Sequence, residues 1–302
     1  MTAAIQWVVQ PGDGSAVGDV LAKARALGAQ VGGRVLLNGR PAAPDDPIEP
    51  GDRIDLWPAD PPPDAARVQI LAHRDGVLCA NKPAGLPTES TPRGPDSLVS
   101  GIIQCLSGGR AHAATRLDAT VSGVVLCTLG RDAARRVQQW RDRGQLERRY
   151  VAIVAGFLPD QGDWDWPLGK IRDRGGRHRV SHQAPRTRRA HTHFVVRARV
   201  EPSPGADTPA AIVELRPATG RMHQLRAHAA LGGAPILGDR TYGGQRQLVA
   251  SDGQVHELRR IALHARQVLS PTFAAAAPVP PELRKWWRLL EGEDGDWDRL
   301  GA

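Results

Sequence analysis

The chain has 302 residues and a net charge of +8, with a 41% hydrophobic fraction and 3 cysteines. That length holds one well-buried core plus a smaller module. No apolar run approaches a bilayer span, and the opening Met1–Trp7 lacks a basic segment followed by an apolar block, which argues against a membrane protein and a secretory leader. The well-separated Cys79, Cys105 and Cys127 have no metal-ligand spacing and read as small buried residues of a cytoplasmic protein.

Charge is unevenly placed. Up to Pro63, five basic residues face eight acidic ones, so the rest of the chain carries all of the positive excess. A basic main body implies a polyanionic partner, with nucleic acid ahead of a membrane because no basic amphipathic helix stands out.

In chain order, residues 16–27 suit a short helix, followed by Gly32-Gly33, a strand over 34–38, a turn at Asn38-Gly39 and a strand over 53–57. The proline run 58–64 reads as a linker. The expected organisation is a small α/β N-terminal module over 1–57, a linker over 58–66 and a main domain over 67–302. Beyond the linker, 77–81 is apolar and β-prone, and Lys82-Pro83-Ala84-Gly85-Leu86 forces a turn.

Apolar positions Ala133, Ala134, Val137 and Trp140 give a helix over 132–143, with Gly144 as its stop. Strands are expected over 150–155, 192–200 and 210–216. A helix is expected over 221–230, closed by Gly232-Gly233, and a Pro/Gly-rich surface loop over 201–209. A short C-terminal helix is expected to begin around Trp286-Trp287. Strands with interspersed helices imply an α+β fold built on a mixed, mainly antiparallel sheet.

The most informative segment is 112–130, where Arg116-Leu117-Asp118 forms a polar turn between two short apolar, β-prone stretches and Ser122-Gly123 reopens the second. A carboxylate on a loop held by a sheet is how catalytic groups are commonly presented, although an isolated Arg-x-Asp is more often a surface ion pair. Other segments follow in order: Asn81-Lys82-Pro83-Ala84-Gly85, Arg149-Tyr150-Val151-Ala152, and Thr219-Gly220-Arg221-Met222-His223-Gln224-Leu225-Arg226-Ala227-His228. Pro235-Ile236-Leu237-Gly238-Asp239, Tyr242-Gly243 and Leu263-His264-Ala265 complete the series. Together they resemble the RluA-type RNA pseudouridine synthases over about 77–271. Thr115 stands where that family usually has histidine, and Val121 where it has threonine. Residues 34–39 and 51–54 resemble the second half of a small RNA-binding domain named after a ribosomal small-subunit protein, without its basic helix.

The resemblance implies a sheet of pseudouridine synthase type, an isomerase acting on uridines of ribosomal or transfer RNA, and no metal, nucleotide or other cofactor. It implies Asp118 as the catalytic carboxylate, serving as nucleophile or stabilising a glycal-like intermediate. Arg226 would be the cation that keeps Asp118 charged. Tyr150 would stack on the flipped base and could assist proton removal from its carbon 5, and Arg116 would fill the gap the base leaves. Lys170, Arg172, Arg186, Arg188 and Arg189, within the densest basic stretch and beside Gly175-Gly176, form a candidate hairpin or loop that binds RNA phosphates; a solvated basic loop is the plainer alternative.

The ten histidines do not form a metal set: His223 and His228 would lie about 140° apart around a helix. No Gly-x-x-x-x-Gly-Lys-Ser/Thr loop is present. The competing reading is a noncatalytic RNA-binding or ribosome-assembly protein on the same fold. A general basic structural protein is the third.

Overall fold

Strand residues 122–129 run Ser-Gly-Val-Val-Leu-Cys-Thr-Leu, and all but the last are buried. A strand with no polar alternation must be covered on both faces. In the computed structural model, which describes residues 5–27, 35–56, 68–91, 96–106, 110–172, 178–202, 209–250 and 253–300, it is. Val124 and Leu126, with Val77 and Cys79 of the neighbouring strand, pack against Ala133, Val137 and Trp140 of the Arg131–Asp142 helix. The alternate residues Val125, Cys127, Leu78 and Ala80 pack against Leu98 and Ile102 of the Leu98–Cys105 helix.

The chain divides into two compact units, Met1–Asp64 and Ala65–Ala302. The expected linker over 58–66, proline run included, lies outside the described residues. In the first unit the antiparallel order is Ile5–Val8, Arg53–Leu56, Val35–Leu37, Arg40–Pro41, with the Val17–Ala26 helix completing a core of Val17, Val20, Leu21, Ile54 and Leu56. The expected Asn38-Gly39 turn joins two of these strands with φ of 50° and 80°, the geometry an Asn-Gly hairpin turn supplies.

The second unit is built on a 10-stranded sheet. Eight strands form its path, Gln161–Trp164, Thr192–Val200, Ala210–Pro217, Glu147–Ala155, Leu263–Leu269, Ser122–Leu129, Val77–Lys82, Gln69–Arg74, with Ala274–Ala276 on Leu263–Leu269 and Ala111–Ala113 on Ser122–Leu129 beside it, and every pairing is antiparallel except one. The exception pairs His264 with Ser122 and Ala265 with Gly123, in parallel. A Cβ at Gly123 would lie 2.1 Å from the Ala265 carbonyl oxygen, so this close approach requires glycine. The sheet is the mixed, mainly antiparallel one the sequence implies. No helix among the described residues is long and apolar enough to cross a membrane.

Three local expectations are corrected. The helix expected from 221 spans Gln224–Leu231, because Thr219 and Arg221 are held in a loop by the Gln224 side chain and His223 sits in the left-handed region. The C-terminal helix begins at Pro281, whose fixed φ suits a first helical position, so Trp286 and Trp287 lie near its end. Cys105 is exposed at a helix end, while Cys79 and Cys127 are buried.

Candidate active site

Asp118 lies on the loop between the Ala111–Ala113 and Ser122–Leu129 strands, and that loop is pinned along its length. The Thr115 hydroxyl accepts the Leu126 amide at 2.8 Å. Thr88 Oγ1 accepts the Leu117 amide at 3.1 Å and donates to the Leu117 carbonyl at 2.9 Å. Val121 donates its amide to the Asp118 carbonyl at 3.0 Å, and its side chain is buried in the main core. Thr115 and Val121, the two departures from the family pattern, are therefore both part of the scaffold of this loop.

Lys82 braces the loop from below. Its buried ammonium donates to the carbonyls of Pro83, Leu86 and Ala119 at 2.9, 2.6 and 3.2 Å. Burial, then the charge of Arg260, pushes it down to about 7, against the opposing pull of Asp118.

The Gln224–Leu231 helix delivers Arg226 to Asp118. Its Nη1 donates to Asp118 Oδ2 at 2.6 Å, while Nε and Nη2 fork onto Asp239 at 2.7 and 2.9 Å. Asp239 is wholly buried and the Asp118 side chain is 31% exposed. The closed carboxylate thus aims the guanidinium, and the open one faces solvent. Burial opposes the charge of Arg226, but the bond to Asp239 and the two carboxylates outweigh it and raise its pKa. The Arg226 guanidinium carbon also stands 5.2 Å above the ring centroid of Tyr242.

The rest of the Thr219–His228 run explains the helix's placement. The Thr219 hydroxyl and the Arg221 amide donate to Gln224 Oε1 at 2.7 and 3.0 Å. Gln224 Nε2 donates to the His191 carbonyl and to Thr192 Oγ1 at 2.9 and 3.0 Å. His228 Nδ1 lies 3.0 Å from Thr192 Oγ1, and its Nε2 lies 2.9 Å from the Trp166 carbonyl. Thr219, Gln224 and His228 therefore clamp the helix to the sheet. His223 points elsewhere, with Nε2 3.6 Å from Asp118 Oδ2 and Nδ1 3.1 Å from the Tyr242 hydroxyl.

Tyr150 is buried on the Glu147–Ala155 strand, where burial raises the pKa of its phenol and Asp118 adds to the effect. Arg116 projects to the surface and pairs with Glu89 at 2.9 Å. Lys170 and Arg172 are exposed on Gly169–Arg172, which pairs with His178–Ser181 in a two-stranded ribbon; Gly175-Gly176 lies outside the described residues. Arg186, Arg188 and Arg189 are exposed on the adjoining segment. Two bonds join this basic arm to the site: Arg221 Nε to the Arg189 carbonyl at 3.0 Å, and the Val180 amide to the Tyr242 hydroxyl at 2.9 Å.

Residues 76–231 match the sequence profile of the RNA pseudouridylate synthase family. The chain is 32% identical over 289 residues to the ribosomal large subunit pseudouridine synthase D of Xanthomonas campestris, covering 85% of this chain and 81% of that protein. The chain belongs to the RNA pseudouridylate synthases, of RluA type.

It is 34% identical over 208 residues to the tRNA pseudouridine synthase C of Salmonella typhimurium, covering 67% of this chain and 79% of that protein. Human RNA pseudouridylate synthase domain containing 1 shares the fold at a TM-score of 0.56 and 21% identity, covering 77% of this chain and 98% of that one. As a pseudouridine synthase the protein is an isomerase acting on RNA. The profile spans the loop bearing Asp118, the Tyr150 strand and the Arg226 helix. Asp239 and Tyr242 lie outside it and had no assigned role at the sequence level; the burial of Asp239 and the half-buried Tyr242 ring beside Arg226 are properties of the fold.

Proposed function

We propose that this pseudouridine synthase isomerises specific uridines of ribosomal or transfer RNA, with Asp118 as the catalytic carboxylate. One observation carries the reading: a partly open carboxylate is bonded at 2.6 Å to a guanidinium that a second, closed carboxylate holds in place. Such a carboxylate meets its substrate ion-paired and already oriented, so little reorganisation remains for the chemical step.

The reaction breaks the C–N glycosidic bond of uridine and joins the same ribose carbon to carbon 5 of the base. The carbon 5 proton leaves and the former glycosidic nitrogen ends protonated, so the change is redox-neutral. Asp118 serves either as nucleophile at the ribose or as the charge that stabilises a glycal-like intermediate. Tyr150, its phenol kept unionised by burial, stacks on the extruded base. Arg116, exposed beside Glu89, exchanges that partner for the gap left in the RNA.

Lys170, Arg172, Arg186, Arg188 and Arg189 bind phosphates and set the register of the RNA without reading its sequence. The acidic module at 1–57 acts as an auxiliary domain, joined through 58–66 to the catalytic domain at 67–302, and the whole works in the cytoplasm. Relatives named for ribosomal and for transfer RNA support both substrate classes.

The test is a single-turnover assay of pseudouridine formation in unmodified ribosomal and transfer RNA, with wild type and Asp118→Asn. The expected result is product with wild type in one RNA class, and none with the variant at undiminished RNA affinity. Equal product from both proteins would contradict the assignment of Asp118.

A further inference from the structure

The hydrogen bonds around Tyr242 bear on more than its position. The Val180 amide can only donate, so the Tyr242 oxygen accepts it at 2.9 Å. That leaves the hydroxyl's own proton available to His223 Nδ1, 3.1 Å away, in the tautomer whose ring proton sits on Nε2. An imidazole that accepts at Nδ1 carries its proton on Nε2. That Nε2 faces Asp118 Oδ2 at 3.6 Å, the same oxygen that Arg226 holds.

His223 reaches this place from a backbone φ of 51°, an uncommon conformation for a residue with a side chain. Among the described residues, Asp118, Arg226, Asp239 and Tyr242 are the charged and titratable groups facing it. Burial, the leading influence, keeps its pKa below the ordinary value, so the ring is neutral near pH 7.

We propose that His223 is a positioning residue for Asp118: its Nε2–H steadies Oδ2 and leaves Oδ1 turned toward the ribose. Tyr242 sets the required tautomer, and the basic arm, through Val180, holds Tyr242. The separation of 3.6 Å is too long for a hydrogen bond at rest and closes to one when RNA seats the arm. The inference rests on Asp118 being the reacting carboxylate.

The test compares His223→Ala, His223→Gln and Tyr242→Phe with wild type, reading the single-turnover rate and RNA affinity separately from about pH 5 to about pH 8. His223→Ala is expected to lose about tenfold to a hundredfold in rate with RNA affinity unchanged. His223→Gln, whose amide N–H falls near the place of Nε2–H, recovers most of it. Tyr242→Phe keeps the ring over Arg226 and with it the fold, and lies between the two.

Wild type slows on the acid side as His223 gains a second proton and pairs with Asp118 as a cation; His223→Gln lacks that limb. Unchanged rates, or a joint loss of rate and affinity without rescue by glutamine, would overturn the proposal. An inactive Asp118→Ala beside a fully active His223→Ala would sink this inference alone. An active Asp118→Ala would instead remove the reading beneath it.

Discussion

Arg226 has three directed N–H groups committed to two carboxylates, and this arrangement needs a guanidinium. Lysine is a point charge and cannot satisfy Asp239 as a fork while reaching Asp118. Arg226→Lys should therefore cost about a hundredfold or more in single-turnover rate while RNA affinity stays near wild type; an unchanged rate would show that the pairing does not orient Asp118.

Asp239→Ala removes the closed partner of a buried cation. Breaking a buried pair by removing one partner costs about 3–5 kcal/mol, and with Asp118 still bonded to Arg226 the loss should fall toward the lower end, read as a lower urea midpoint with an unchanged slope. Asp118 and Arg226 were legible because each sits inside a dense motif. Asp239 and Tyr242 were not, since a carboxylate in a Leu-Gly-Asp turn gains its role only when the fold closes it over Arg226. Within the same motif Thr219, Gln224 and His228 brace the helix, and His223 faces Asp118 instead.

At the scale of elements, the site depends on how the Leu263–Leu269 and Ser122–Leu129 strands meet. Ser122 Oγ lies 2.7 Å from His264 Nδ1 and accepts Arg260 Nη2 at 2.6 Å. Burial, ahead of every other influence, pushes His264 down to about 3, so the folded protein keeps it neutral. The unfolded chain protonates it near its ordinary value of about 6.5. Between those values the unfolded state binds the extra proton, and stability falls with acid by up to about 1.4 kcal/mol per pH unit from this group. Urea unfolding across that window should show a shallower acid loss in His264→Asn than in wild type; parallel curves would mean that His264 protonates in the folded state.

Strands 192–200 and 210–216 were legible from their patterns. The Gln69–Arg74 strand was not, because it is an edge strand with polar, exposed positions and no apolar alternation. The Leu98–Cys105 helix was hidden by its short apolar run, and its Ser97 cap and buried Leu98 and Ile102 account for it only once the sheet is in place.

Over the whole molecule, the positive excess belongs to the chain beyond Pro63, and its densest stretch is tied to the site by the Arg221 and Val180 bonds. Neutralising Arg186, Arg188 and Arg189 together should weaken RNA binding for all sequences. It should also lower the magnitude of the salt slope of the association constant by about 2–3. An unchanged slope would return the segment to a solvated surface loop.

The charge asymmetry was legible from the sequence, but its destination was not, because only the fold brings residues 186–189 beside the Thr219–Gly220–Arg221 loop.

Every other role at the site depends on Asp118 being the reacting carboxylate. Nucleotide-resolution pseudouridine mapping of total RNA from cells lacking the gene, complemented with wild type or with Asp118→Ala, tests it most directly. The expected result is a small set of uridines that lose modification in the deletion and regain it only with wild type. Restoration of the same sites by Asp118→Ala would contradict it.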